Sequence, residues 1–152
     1  MPEAWRMVKE KHAATAFSGE GAAKTGGRWN SRGVPVVYTS STKSLVALEN
    51  LAHLNPPVPF KYVVFRIQFD DALIEKVPLS RLPADWQVEP PPPSTKAIGD
   101  AWVREMRSAV LALPSVIISG EPNYLLNPAH PAFKKISIGK PEGFAFDPRL
   151  LA

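Results

Sequence analysis

The chain contains no cysteine, which excludes disulfides, a thiol nucleophile and any Cys-ligated zinc or iron–sulfur centre. Histidine is scarce as well: three residues, His12, His53 and His130, lie too far apart in sequence to suggest a His-rich metal site. No metal is therefore expected. No apolar run approaches the roughly 18 residues of a membrane span, and Met1 to Lys11 lacks the apolar stretch of a signal peptide, so the expectation is a cytoplasmic protein with no membrane partner. Lys and Arg total 18 against 14 Asp and Glu, a formal charge of +4, but no run of five or six basic residues occurs. A direct nucleic-acid partner is not expected from so scattered a charge. There is no Walker pattern and no Gly-x-Gly-x-x-Gly after a strand, so neither a P-loop nor a Rossmann unit is supported.

What is present is a chain of 152 residues, 45% of them apolar, which reads as one domain over residues 1–152 with an ordinary core. The 17 prolines gather at 56, 57 and 59 and at 90 to 93, positions that mark loops and cut the chain into blocks. Trp5-Arg6-Met7-Val8 is a strand candidate, followed through His12 to Lys24 by a glycine-rich stretch expected to be irregular. Val34 to Thr39 reads as a strand with Pro35 at its start or on a sheet edge. Ser40, Ser41 and Thr42 offer capping oxygens for a helix over Lys43 to Leu54, which Pro56 and Pro57 stop. Lys61 to Phe69 alternates, with Val63, Phe65, Ile67 and Phe69 on one face, the pattern of a half-buried strand. A turn-rich stretch leads to a second helix, expected from about Thr95 to Leu111 on the spacing of Ile98, Trp102, Met106, Ala109 and Val110, and closed by Pro114. Ser115 to Ser119 reads as a short strand, Asn123 to Pro131 as a loop, and Phe133 to Ile138 and Gly143 to Phe146 as the last strands. Strands outnumber helices without alternating with them, which points to an α+β fold with a largely antiparallel sheet and flanking helices.

The first helix carries the most informative residue. With Leu45 at zero and about 100° per residue, Leu48 falls near −60°, Ala52 near −20° and Glu49 near +40°, inside the apolar arc. A carboxylate there costs several kcal/mol, in order of magnitude, unless it is paired or hydrogen-bonded. The alternatives are a structural ion pair with a buried arginine or a functional group. Gly26-Gly27-Arg28 sets a planar five-donor cation beside flexible backbone, which suits a phosphate or serves only as a turn. His53, one turn after Glu49, is either a proton carrier or a cation at the helix C-terminus. The four tryptophans stack on a ligand or fill the core, and Arg6 within the first strand pairs with a buried acid or contacts a ligand.

Taken in order, Trp5-Arg6, Ser18-Gly19-Glu20-Gly21-Ala22, Gly26-Gly27-Arg28-Trp29-Asn30, Gly33, Val36-Val37-Tyr38, Leu48-Glu49 with His53, Leu82-Pro83-Ala84-Asp85-Trp86, Gly99-Asp100-Ala101-Trp102, Pro114-Ser115 and Asn123-Tyr124-Leu125-Leu126-Asn127-Pro128 with His130 form a set that resembles the RES domain. That family is named for an arginine, a glutamate and a serine, and the resemblance runs from about residue 4 to residue 146. It implies a split sheet similar to that of ADP-ribosyltransferases and a bacterial type II toxin that inhibits growth by consuming NAD⁺. The reaction implied is hydrolysis or phosphorolysis of NAD⁺, or transfer of ADP-ribose to a protein. An Xre-like helix-turn-helix antitoxin covering the active site is the implied partner, through which nucleic acid enters only indirectly, with a homodimer within the complex left open.

Carried onto this chain, the resemblance assigns Glu49 to the oxocarbenium-like transition state and Arg28 to the phosphate side, with Arg6 as the competing arginine and a second contact. The Gly-flanked turn favours Arg28. Tyr38 is expected to stack on nicotinamide or bond a ribose. Ser115, after Pro114, is taken as the family's serine and orients Glu49 or a ribose hydroxyl, with Ser119 as the alternative. Asn123 is a further NAD⁺ ligand. Against this stand a non-catalytic nucleotide- or protein-binding module and an RNA-directed toxin, the latter opposed by the missing His pair and basic cluster.

Overall fold

The computed structural model describes residues 1–53 and 61–151; the expected helix stop at Pro56 and Pro57 lies outside them. Eight strands are present, β1 (Glu3–Lys9), β2 (Val37–Ser40), β3 (Tyr62–Gln68), β4 (Ile74–Lys76), β5 (Val110–Pro114), β6 (Pro122–Leu126), β7 (Ser137–Ile138) and β8 (Glu142–Phe144), with three α-helices among the described residues, α1 (Glu20–Thr25), α2 (Lys43–Ala52) and α3 (Pro93–Arg104). The strands form one sheet in the order β4-β5-β6-β2-β1-β3-β7, with β8 also paired to β3. Every pairing is antiparallel except that of β4 with β5. β1 and β2 share a single paired position, Trp5 opposite Ser40, whereas β1 and β3 pair along their whole length. The α+β reading and the mostly antiparallel sheet hold.

Side-chain alternation assigns the two faces. Trp5, Met7, Tyr62 and Val64 pack with Val46 and Ala47 of α2, and farther along the same face Leu111, Leu113 and Leu125 pack with Trp29, Val36 and Trp102 of α3. The opposite face, with Ala4, Val37, Ile67, Phe69, Val110 and Leu126, is covered by Phe17, Leu73 and Phe133. Because both faces of β3 are covered, Tyr62 and Val64 are as buried as Val63 and Phe65. The alternating strand is central, not half-buried.

Several expectations are corrected. The second helix ends at Arg104, not Leu111: Met106 takes a left-handed φ of 52°, and the chain turns into β5, so Ala109 and Val110 match the helical spacing by coincidence. Pro114 closes a strand. Residues 115–119 form a turn rather than a strand, because Ser115 Oγ captures the backbone N–H groups of Ile117 and Ile118 at 3.1 Å each. Asn123 to Leu126 is strand β6, not loop, paired on both sides by β2 and β5. Phe133 lies in a 3₁₀ turn over Pro131–Lys135 capped by His130 Nδ1, which accepts from Ala132 N–H. The glycine-rich segment after β1 contains α1, and β4 lies between Phe69 and Leu79, where no element was expected. No described helix is long and apolar enough to cross a membrane.

Candidate active site

Thr42 Oγ1 accepts from Leu45 N–H at 3.0 Å and starts α2. Leu45 and Val46 are the buried residues of this helix. Glu49 follows them by four and three residues, so it shares their face. Leu48, expected inward, is 37% exposed and lines an apolar groove with Leu51, Phe144 and Phe146. The helix is thus rotated to turn Glu49 toward the sheet.

There it meets the ends of three strands. Ser40 and Asn123 are opposite one another in β2 and β6, Asn123 is also opposite Leu113 of β5, and Ser115 directly follows β5. Asn123 Nδ2 donates to Glu49 Oε2 at 2.5 Å and Ser115 Oγ donates to the same oxygen at 3.0 Å. The donor assignments follow from the surroundings. Ser115 Oγ already accepts from Ile117 and Ile118 N–H, which leaves its own proton for Glu49. Glu49, which can only accept, takes the amide nitrogen, and Ser40 Oγ donates to the Asn123 Oδ1 left on the far side at 2.7 Å. Among the described residues no Lys or Arg pairs with Glu49, so the alternative of a structural ion pair is not what holds it. Neutral donors therefore hold the carboxylate.

The Gly26–Asn30 segment is a separate knot. Arg28 donates through one guanidinium nitrogen to Trp86 O and Val88 O at 2.9 and 2.8 Å and through the other to Glu89 at 2.5 Å. Its side chain is only 13% exposed. Tyr38 donates to Asn30 Oδ1 at 2.6 Å and accepts from Trp29 N–H at 3.1 Å. Burial pushes the Tyr38 phenol well above its usual range, the Trp29 bond lowering it, Asp100 raising it and Arg28 lowering it again. A Cβ on Gly27 would stand 2.5 Å from the Tyr38 hydroxyl and one on Gly99 1.7 Å from Trp29 O, so both glycines mark close approaches. Lys96 Nζ holds Gly27 O at 2.8 Å, and Asp100 accepts from Ser31 N–H and Oγ.

Arg6 differs from Arg28. It donates to Ala16 O at 3.1 Å and to Tyr38 O at 3.2 Å, both neutral carbonyls, and no described carboxylate pairs with it. Burial lowers its guanidinium from the usual range to about 10, so at neutral pH it stays charged. Its Cβ stands on the sheet face opposite Trp5 and Met7. No described hydrogen bond joins Arg6, Arg28 or Tyr38 to Glu49. His53 is the C-cap of α2, its Nδ1 2.6 Å from Glu49 O, and Trp29 and Trp102 are core residues. No described group of three His, Asp or Glu side chains is placed to hold a metal. Ser40 was missed as a site residue because, next to Ser41 and Thr42, it reads only as a capping candidate; sheet register alone sets it beside Asn123.

This arrangement belongs to a defined family. The family model described as the RES domain matches residues 3–147, and the chain is a member of the RES domain family. It is 36% identical over 153 residues to a protein of Sphingobium named Prs ADP-ribosylating toxin, covering 97% of this chain and 95% of that one. It is also 36% identical over 148 residues to Toxin Res of Yersinia enterocolitica, with 96% and 97% covered. Among solved structures, a chain of the Mycobacterium tuberculosis MbcT–MbcA toxin–antitoxin complex superposes with a TM-score of 0.73 at 15% identity, covering 95% of this chain and 84% of that chain. That likeness is one of fold.

Proposed function

We propose that this chain is the toxin of a toxin–antitoxin pair and acts by breaking the nicotinamide–ribose bond of NAD⁺ on an ADP-ribosyltransferase-like scaffold. The observation that carries the reading is Glu49, a carboxylate turned toward the sheet and held by Ser115 and Asn123 without a paired cation. Membership in a family whose relatives are named as toxins, one of them ADP-ribosylating, supports it.

In the proposed step the C1′–N bond breaks with its electron pair passing to the pyridinium nitrogen, so nicotinamide leaves neutral and needs no general acid. The ribose becomes oxocarbenium-like, and Glu49 stabilises that charge more than the ground state. An oxygen of water, phosphate or a protein side chain then forms the new bond to C1′, and a water acceptor releases a proton. The two carboxylates of ordinary glycoside hydrolysis are not required.

Arg28 is the proposed anchor for the phosphate side: its Gly-flanked turn meets Tyr38, whose side chain leaves the sheet on the same face as Asn123. Arg6, on the opposite sheet face and bonded only to carbonyls, is the second contact. The bonds of Arg28 to Trp86 O, Val88 O and Glu89 also make it the tie between the Gly26–Asn30 turn and residues 86–89. Tyr38 belongs to the same tie through its hydroxyl, leaving its ring as the part able to meet a ligand. Ser115 orients Glu49.

A second reading is favoured by the name of the Sphingobium relative: ADP-ribose passes to a protein, with Glu49 in the same role. One experiment separates them. Purified, antitoxin-free chain and Glu49→Gln are incubated with NAD⁺, with and without phosphate, and products are resolved as ADP-ribose or ADP-ribose-1″-phosphate. Wild-type-only loss of NAD⁺ supports cleavage and the product names the acceptor. Absence of loss from a folded sample sinks cleavage as the sole activity and sends the search to a modified protein. The antitoxin follows from the same reading, with the Xre-like helix-turn-helix class as its proposed type.

A further inference from the structure

Resting on that reading of Glu49, we propose that Ser40 is a positioning residue for the reaction: its hydroxyl tethers the Oδ1 end of the Asn123 amide and thereby steadies the Nδ2 donor on Glu49. A carboxamide is nearly symmetric in shape but opposite in chemistry at its two ends, one oxygen that accepts and one nitrogen that donates. Beside a carboxylate the wrong end is repulsive. The acceptor-only carboxylate of Glu49 selects the nitrogen end, and the Ser40 hydroxyl, able to donate or accept, answers by donating to the oxygen end and so tethers the amide on its far side. Ser40 Oγ meets Oδ1 at 2.7 Å and leaves Nδ2 on Glu49 Oε2.

The support is rigid on the Ser40 side. Ser40 is 2% exposed and lies at the end of β2, in register with Asn123 and opposite Trp5 of β1. It sits where the two parts of the sheet share their one paired position. The residue before it, Thr39, bonds Tyr124 O at 2.7 Å, so two consecutive β2 side chains lock onto two consecutive β6 residues. On the other side Ser115 has both its lone pairs occupied by backbone N–H groups. Glu49 Oε2 thus receives two donors, one from β6 and one from the turn after β5, each anchored by a further group, and Oε1 has no bond to a described residue. That leaves one oxygen to face the ribose.

The test compares Ser40→Ala, Ser40→Thr and Asn123→Asp by NAD⁺ turnover, thermal unfolding and the side-chain amide resonances of Asn123. Ser40→Ala removes the group that tethers the amide; kcat is expected to fall about tenfold, the scale for a slight misplacement of a reacting group, with KM for NAD⁺ within about twofold. Ser40→Thr keeps the hydroxyl on a strand-compatible side chain and restores kcat. Asn123→Asp keeps the bond from Ser40 but turns the donor on Glu49 into an acceptor, so it loses at least as much kcat as Ser40→Ala. The Asn123 amide resonances move in Ser40→Ala and not in Ser40→Thr. Unchanged resonances or unchanged kcat in Ser40→Ala would overturn the proposal, as would equal losses in the Ala and Thr variants. If the wild-type chain itself leaves NAD⁺ intact, the cleavage reading fails, and the amide resonances alone decide whether Ser40 anchors Asn123.

Discussion

Ser115 and Glu49 are 66 residues apart in the chain, yet Ser115 Oγ donates to Glu49 Oε2 at 3.0 Å while accepting two backbone N–H groups of its own turn. The serine therefore does two jobs with one hydroxyl. It ends β5 by capturing the turn that follows, and it aims the only proton it has left at the carboxylate on α2.

Replacing Glu49 by Gln keeps the shape and an acceptor for both donors while removing the charge. Turnover of NAD⁺ is expected to fall by about 10²–10³, the scale for loss of a preorganised electrostatic contact in a transition state, with little change in melting temperature. Induction of the wild-type gene without an antitoxin should arrest growth and induction of the variant should not. Normal growth at high yield of the wild-type chain would count against the toxin reading.

Ser115→Ala removes one donor from Glu49 and strands two N–H groups, a cost of about 1–3 kcal/mol. In a chain of this size that lowers the melting temperature by about 3–9 °C, and turnover drops with it. A melting curve unchanged from wild type would show that the turn closes without the hydroxyl.

The two arginines are separable by their partners. Arg28→Gln should weaken ADP-ribose binding roughly tenfold or more, about 1.4 kcal/mol per factor of ten, and also lower the melting temperature by freeing Trp86, Val88 and Glu89, while Arg6→Gln has the smaller effect on binding. Calorimetric titration beside thermal melts distinguishes these outcomes. Burial lowers the Arg6 guanidinium to about 10, so its cation persists through neutral pH. Its contribution to binding is expected to be flat from about pH 6.5 to 9 and to weaken only above that window. Because the folded value lies below the unfolded one, the burial cost is fully present at neutral pH and is relieved as pH rises through 10. A bound anion offsets that cost, so ADP-ribose should raise the melting temperature of wild type more than that of Arg6→Gln.

Gly99→Ala places a Cβ 1.7 Å from Trp29 O, against backbone that cannot yield as a side chain would. A loss of roughly 3 kcal/mol or more is expected, seen as poor expression or a much lowered melt. Gly21 in α1 meets nothing within 4 Å, and Gly21→Ala should be neutral or stabilising by up to about 1 kcal/mol. Similar behaviour of the two variants would be inconsistent with the close approach of α3 to Trp29.

Local chemistry was legible where a segment's own residues decide its state. Thr42, Leu45 and Val46 specify the start and inner face of α2, and alternation from Lys61 to Phe69 specifies β3. The suspicion that Glu49 faces inward also follows from helical phase alone. Zero cysteine closes thiol and disulfide chemistry. Other features are decided by neighbours distant in sequence. Val110 fits a helix as well as a strand until Leu126 of β6 pairs with it, as Ala109 does until its carbonyl takes Asn127 N–H, and Asn123 to Leu126 reads as a loop until β2 and β5 flank it. Tyr62 and Val64 become core because α2 together with Phe144 and Phe146 covers their face. Arg28 and Arg6 are both plausible anion binders as sequence; tertiary structure gives the first three acceptors and the second only carbonyls. The carboxylate's supports come from three strand ends, β2, β5 and β6, and sheet register rather than spacing brings them together. The sequence by itself determined which groups are on hand and which face of α2 carries the acid; the tertiary structure decided which donors hold that acid, because hydrogen bonds reach about 3 Å and only the folded sheet closes the gap.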